Sequence, residues 1–334
     1  MKLSPTVAFI VSFALCAAMM TSTSAEEPRV LKAGMIGLDT SHCGAFTKLL
    51  KEAPAGSELA SVQVVAAFPG GSLDVASSRD RVAGYTEELR GLGVEIVDSI
   101  PALLEKVDVV FLESVDGRPH LEQVRPVFEA KKPVFIDKPL AGTLADAVEI
   151  FRLAEQHGVP CFSSSSLRFS PGTLKARSGE AAGRVLGCEA YSPCTYAEHH
   201  PDLFWYGIHG VETLFTVMGT GCETVRRVPT PGADLVIGQW SGDRIGTFRG
   251  LRDGSTGYGA TVFGADRITD VGPYGGYEPL VLEIVRFFHT GQPPVNVEET
   301  LEIYAFMEAA DESKRRDGAP VSVAEVLEHA RRAK

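Results

Sequence analysis

The sequence predicts a two-part α/β protein: a doubly wound parallel sheet up to residue 165, then an α+β half with a mostly antiparallel sheet. Two patterns carry this expectation. In the first half, short continuous apolar runs alternate with amphipathic helical stretches. After about residue 170 the runs become strand-like segments separated by short Gly/Asp turns, and two long helical segments follow.

The elements follow in order. Residues 30–37 form an apolar run that breaks at Gly37, and 45–50 read as the helix after it. Residues 62–68 are a second buried strand, ending at Pro69-Gly70-Gly71. Strands at 107–112 and 134–136 alternate with helical patterns at 100–106 and 120–130. Residues 141–157 form a long amphipathic helix closed by Gly158 and Pro160, and 159–163 are the next strand. In the second half, 185–196, 235–240, 245–251 and 257–263 read as strands, and 278–289 and 298–316 as helices. The sequence has no internal repeat and no low-complexity tract beyond Ser163–Ser166.

Composition fits this reading. The chain has 334 residues, 44% hydrophobic and 22% charged, with 34 Gly and 20 Pro, which excludes a disordered, collagenous or coiled-coil protein. Its 43 acidic against 32 basic residues give a net charge of −11. Such a surface repels phosphate backbones and anionic lipid, which argues against nucleic-acid and membrane partners.

Residues 1–25 are expected to be a cleaved leader. Lys2 gives a positive start, residues 7–20 are apolar except for Ser12, and Thr23-Ser24-Ala25 precede Glu26-Glu27. The apolar run is shorter than the roughly 20 residues a membrane span needs. Leu15 before Cys16 disfavours a lipid anchor. No paired arginine precedes the run, so the expected route exports unfolded chains to the periplasm or beyond. The mature chain then spans 26–165 and 166–334. Its five cysteines, Cys43, Cys161, Cys188, Cys194 and Cys222, are an odd set without a C-x-x-C pair. Cys188 and Cys194 either pair or lie buried as thiols.

Several motifs resemble one family. Val134-Phe-Ile-Asp-Lys-Pro139 resembles the strand and Glu-Lys-Pro motif of the Gfo/Idh/MocA oxidoreductases of sugars and inositols. Leu167-Arg-Phe-Ser-Pro171 is similar to the Arg-Phe-x-Pro motif that opens their second domain. Gly207-Ile-His209-Gly-Val-Glu212 resembles their Gly-x-His-x-x-Asp helix, and 291–313 their terminal helix. The resemblance covers essentially the whole mature chain. It implies a Rossmann-like first half binding NAD or NADP and hydride transfer at a sugar or polyol hydroxyl. The expected partners are a small carbohydrate substrate and further copies of the chain.

The cofactor end departs from the expected pattern. A dinucleotide fold places Gly-x-Gly-x-x-Gly after the first strand, so that backbone approaches the pyrophosphate at a helix N-terminus. Here the run is Gly37-Leu38-Asp39-Thr40-Ser41-His42. A carboxylate at Asp39 repels a diphosphate unless it turns away to cap the helix, as Asp, Thr and Ser all can. The second strand lacks its terminal ribose-gripping acid, for which Asp74 is a substitute. Gly37, Asp39, Thr40, Ser41, His42, His120 and Lys138 are the cofactor-binding candidates.

At the reaction centre the resemblance makes Lys138 a contact to substrate and nicotinamide, where an amine polarises a hydroxyl or moves its proton. The alternative is a surface pair with Asp137. His209 is the general acid/base candidate, and Glu212, one helical turn on, the second acid; Trp205 stands where the family has an orienting Asp. Glu113, Asp116 and Arg118 put charge at the carboxyl ends of the strands, as a solvated loop, a sugar contact or a cation ligand. Glu113, Asp116, Arg168, Trp205 and Tyr206 are the substrate-binding candidates. Trp205 and Tyr206 suit the apolar face of a pyranose, and equally a core. Finally, His199, His200, His209 and Glu212 crowd one short stretch and could ligate a divalent metal, or form a polar rim. A second function therefore stands beside the oxidoreductase: an exported carbohydrate-active protein of the same fold without dinucleotide use. It would act as a metal-assisted lyase or hydrolase, or bind sugar only.

Overall fold

The computed structural model describes residues 29–333; the expected leader and Cys16 lie outside them. The first half runs β1 (Leu31–Ile36), α1 (Ser41–Lys51), β2 (Val62–Phe68), α2 (Ala76–Arg79), α3 (Val82–Gly91), β3 (Glu95–Ile96) and α4 (Ile100–Leu104). It continues β4 (Val109–Leu112), α5 (His120–Glu129), β5 (Val134–Ile136), α6 (Leu144–His157) and β6 (Cys161–Phe162). The six strands pair in parallel in the order β3-β2-β1-β4-β5-β6. Because helices cover both faces of such a sheet, its inner strands read as near-continuous apolar runs: all of β4 and β5 is buried. The order reverses at β1, between β2 and β4, and that reversal opens a crevice at the strands' carboxyl ends.

The second half runs α7 (Pro171–Arg177), β7 (Val185–Pro193), α8 (Ile208–Met218), β8 (Cys222–Pro229), β9 (Ala233–Trp240), β10 (Arg244–Leu251), β11 (Gly259–Gly264) and β12 (Ile268–Asp270). Then come α9 (Glu278–Thr290), α10 (Val297–Arg315), β13 (Val321–Ser322) and α11 (Val323–Arg332). Its sheet has the order β12-β11-β7-β10-β9-β8-β13, antiparallel except where β7 meets β10. The fold is thus the expected α/β one, a Rossmann-like parallel sheet plus a mostly antiparallel second sheet.

Helix ends follow local chemistry. Thr143 caps α6 by accepting from the Asp146 amide, and Gly158 closes it at φ 62°, a left-handed turn glycine adopts without strain. Asn296 caps α10 through the Glu299 amide. The expected start of α6 at residue 141 moves to 144, because Thr143 takes the capping oxygen.

Two cores result. On one face of the parallel sheet, Phe46, Phe111, Phe135 and Phe162 pack with Phe287 and Phe288 of α9. Ring centroids are 5.1 Å apart for Phe111–Phe288 and 5.0 Å for Phe162–Phe287. Burying each such ring stabilises by about 1.5–3 kcal/mol. So α9 follows the second sheet in the chain but lies on the first. On the second sheet, α8 presses its Gly210 against Phe248, where a Cβ would collide with the ring. All five cysteines of the described residues are free and buried, so Cys188 and Cys194 do not pair.

Candidate active site

Between the two sheets lies a cavity of about 260 Å³. The first half contributes Thr40, Ser41 and His42 from the start of α1, Ser77 and Arg81 beyond β2, Val115 after β4, and Lys138 after β5. From the second half come Trp205, Tyr206 and His209 at the start of α8, with Tyr258, Tyr274 and Tyr277 opposite.

Lys138 is buried and lies 3.4 Å from Asp137 Oδ2. Burial alone would lower its pKa, but the charges of Asp137, Tyr206 and Glu113 outweigh it and the net shift is upward. His209 receives a hydrogen bond partner at Nδ1, the Ser165 hydroxyl at 2.8 Å. Burial and the nearby Lys138 charge hold its pKa well below the usual histidine value, so its imidazole is neutral at pH 7. Tyr206 and Tyr258 present ring edges to it, with centroids at 5.6 and 5.8 Å.

Glu212 is placed differently from the expectation. Its carboxylate accepts from the Ser165 amide at 2.7 Å, the Ser164 hydroxyl and Arg168 Nε at 2.7 Å. Arg168 in turn donates to Glu299 at 2.6 Å, and Arg177 joins it at 2.9 and 3.0 Å. Arg168 and Glu212 therefore form a buried ion network behind the cavity wall. Glu212 reaches His209 only through Ser165.

Asp116 is likewise spent on the protein: on Ser72 at 2.7 Å, His200 at 2.9 Å and Arg118 at 2.7 Å. His120 turns Nδ1 to the Leu140 carbonyl at 3.1 Å and Nε2 to that of Ser114 at 2.8 Å, and is wholly buried. It ties two loops together away from the cavity. The expected metal group of His199, His200, His209 and Glu212 does not assemble. His200 pairs with Asp116 and His199 lies 3.8 Å from Asp74, while His209 and Glu212 bond the serine turn. Between these histidines and α8, Asp202 is held by Arg227 and Lys314, so the loop is fixed with His200 against Asp116 rather than beside His209.

Asp39 does not cap α1: the N-cap is Thr40, extended at φ −125° and without a side-chain cap bond. The Asp39 carboxylate is instead buried, accepting from Ser78 Oγ at 2.5 Å and the Val115 amide at 2.9 Å. Burial raises its pKa, and these bonds only partly offset that. Gly37 adopts φ 88°, and a Cβ there would strike the Ser114 backbone, so the turn admits only glycine.

His42 points from α1 toward the ends of β4 and β5, stacked on Phe46 at 5.0 Å. Its Nδ1 lies 3.0 Å from Asp137 and 3.6 Å from Glu113, both fully buried. Burial and the Asp137 charge push the Glu113 carboxyl up to about 7. Burial would likewise raise Asp137, but His42 and Lys138 hold it low. Glu113 thus sits behind the cavity wall and offers no open face to a sugar.

Sequence reasoning missed Tyr258, Tyr274, Tyr277 and Ser165. Tyr274 and Tyr277 flank Gly275-Gly276 just before α9, an aromatic pair in a glycine turn. Ser165 lay in the serine tract that was read only as low complexity.

Comparison with known proteins now adds to this geometry. Residues 33–165 match the family described as "Oxidoreductase family, NAD-binding Rossmann fold". The match to the Gfo/Idh/MocA family model covers this first half of the chain. YceM of Salmonella typhimurium is 35% identical over 107 residues, so the match spans 31% of this chain and about a third (34%) of that relative. Two solved structures share the fold over 89% of this chain, each at 15% identity. One is scyllo-inositol dehydrogenase from Lactobacillus casei with NAD(H) and scyllo-inositol, with TM-score 0.72 and all of that chain covered. The other is an oxidoreductase from Agrobacterium radiobacter with NAD+, L-tartaric acid and magnesium, with TM-score 0.68 and 99% covered.

The phosphate end of this site fits a dinucleotide. The Gly37 turn is kept, Asp39 is withdrawn from the crevice, and no side chain caps the amides that open α1. Thr40 and Ser41 would hold the phosphates. The ribose end differs, because Asp74 is tied to Arg118 by two bonds of 2.9 Å.

Proposed function

We propose that this protein is an oxidoreductase acting on a sugar or polyol hydroxyl, with NAD or NADP as its hydride partner. One observation carries the reading: Lys138 and His209, brought from the two halves, face a single cavity. The dinucleotide, when bound, supplies the hydride acceptor or donor. Neutral His209 takes or returns the hydroxyl proton, and the Lys138 ammonium steadies the oxygen's developing charge. Trp205 and Tyr206 offer flat apolar surface to a sugar ring, and the tyrosine hydroxyls offer hydrogen bonds.

A second reading is the same cleft working without a dinucleotide on an exported carbohydrate. His42 in place of the third glycine and the occupied Asp74 favour it. Titration of the purified protein with NAD+ and NADP+, followed by nicotinamide absorbance with a panel of sugars and inositols, separates the two. Binding with turnover supports the first reading; turnover of a sugar without nucleotide overturns it.

Export and self-association belong to the same proposal. Leu186, Tyr191 and Ile245 are exposed on β7 and β10, a surface suited to a second copy. No helix among the described residues is long and apolar enough to cross a membrane. The mature chain is expected to start at Glu26, which mass spectrometry of the exported protein reads directly.

A further inference from the structure

Among the described residues, His42, Glu113 and Asp137 are the three metal-ligating side chains drawn together tightly enough to share one ion. They arrive from three elements that meet at the crevice: the first turn of α1, the end of β4 and the end of β5. One donor atom from each lies within 4.8 Å of the others. All three are buried, the two carboxylates completely.

The second observation is what these atoms fail to do. Although His42 Nδ1 is 3.0 Å from one carboxylate and 3.6 Å from the other, neither approach has hydrogen-bond geometry. His42 Nδ1, both Glu113 oxygens and both Asp137 oxygens make no hydrogen bond. Five buried polar atoms without a hydrogen bond are costly, since each such group loses about 1–3 kcal/mol of solvation, which the His42–Asp137 ion pair offsets only in part. Two carboxylates facing each other there also require positive charge. Without an ion it comes from Lys138, 3.4 Å from Asp137, and from the His42 imidazole, which burial would keep neutral but which Asp137 and Glu113 push up to about 9; a bound ion would take the place of that imidazole proton.

We propose that His42, Glu113 and Asp137 bind a divalent first-row transition-metal ion. One imidazole with two carboxylates is a donor set that suits zinc, manganese or ferrous iron, and poorly suits calcium or magnesium. Ligands at about 2.0–2.2 Å from an ion lie at most about 4.4 Å apart, so the three need move only slightly inward. Three protein ligands leave coordination open, as in sites where a metal meets substrate. The ion would sit just behind the cavity, whose wall His42 and Lys138 help to form. This site shares no residue with the loop histidines His199 and His200, and it goes beyond the oxidoreductase reading without depending on it.

The test reads metal, not turnover. The full-length mature protein, stripped with a chelator, is dialysed against Zn²⁺ or Mn²⁺ and its metal content measured. One equivalent per chain is expected. Glu113→Gln and His42→Gln should each weaken binding more than tenfold, while His199→Gln leaves it unchanged. Circular dichroism and melting confirm that each variant folds. Cobalt(II) absorbance of the wild-type protein gives a readout that needs no variant: visible bands of ligand-field intensity should saturate at one equivalent. Content well below one equivalent, absent cobalt bands, or equal binding by folded Glu113→Gln would overturn the site.

Discussion

Ser165 holds His209 by its Nδ1, hydroxyl to ring at 2.8 Å, and is itself gripped at its amide by Glu212. That bond directs the other ring nitrogen of His209, as a third group orients the base in catalytic triads. His209→Ala should therefore cost about 10²–10⁴-fold in kcat. Ser165→Ala should lower kcat by less and leave KM nearly unchanged. Because His209's pKa is depressed, the ring stays neutral as pH falls through 6.5. The acid limb of the kcat profile should accordingly lie below that value. An acid limb above pH 6.5 would remove His209 from the role of base.

Glu212 and Arg168 should report on stability more than on chemistry. Glu212→Ala leaves Arg168 with Glu299 alone, and breaking such a buried pair costs about 3–5 kcal/mol. Glu212→Gln keeps the Ser165 contact and should cost less. Urea unfolding measures both, and metal content should not change in either. Loss of metal with Glu212→Gln would return this residue to the ligand set.

Asp39→Gly should destabilise the protein rather than simply repair the glycine fingerprint. It deletes the acceptor of Ser78 and of the Val115 amide, at about 1–3 kcal/mol for groups left unpaired. The gain in dinucleotide affinity should stay below the roughly 1 kcal/mol expected had the carboxylate faced the phosphates. Calorimetric titration beside thermal melting tests this. A tenfold affinity gain at unchanged Tm would place Asp39 in the crevice.

Asp116 should govern part of the acid stability. Burial alone would raise its pKa, but His200, Arg118 and Ser72 hold it well below 3.8. A depressed acid adds stability above its unfolded value, and that contribution is lost as pH falls further toward the folded one. Asp116→Asn should remove this slope below pH 4 and cost about 1–3 kcal/mol at neutral pH. Unfolding midpoints across about pH 2–7, spanning the ordinary carboxyl range, provide the measurement.

The architecture was legible because periodicity and burial agree. The continuous runs of β4 and β5 could only be buried strands, and the Gly158 stop marked the end of α6 correctly. Lys138 and His209 were legible through motifs, and both line the cavity. Side-chain direction was not. Glu212 shares a helix with His209, yet one turn suffices to aim it at Arg168 instead. Spacing counted four residues near His199 as neighbours, whereas three-dimensional neighbours of His42 come from β4 and β5, about 70 and 95 residues away by the span of a doubly wound sheet. Contacts of that range leave no local trace in a single sequence.

The placement of α9 bears on modularity. The family-matching stretch, 33–165, ends long before the helix that covers Phe111, Phe135 and Phe162. Expressed by itself, that stretch would carry an oily, uncovered flank and would clump rather than circulate as an independent module. Grafting a foreign nucleotide half onto this chain meets the same obstacle, since the recipient's lid of aromatic side chains would have to match the donor's. The two halves can therefore drift in their loops, but at the seam beneath α9 they must change together.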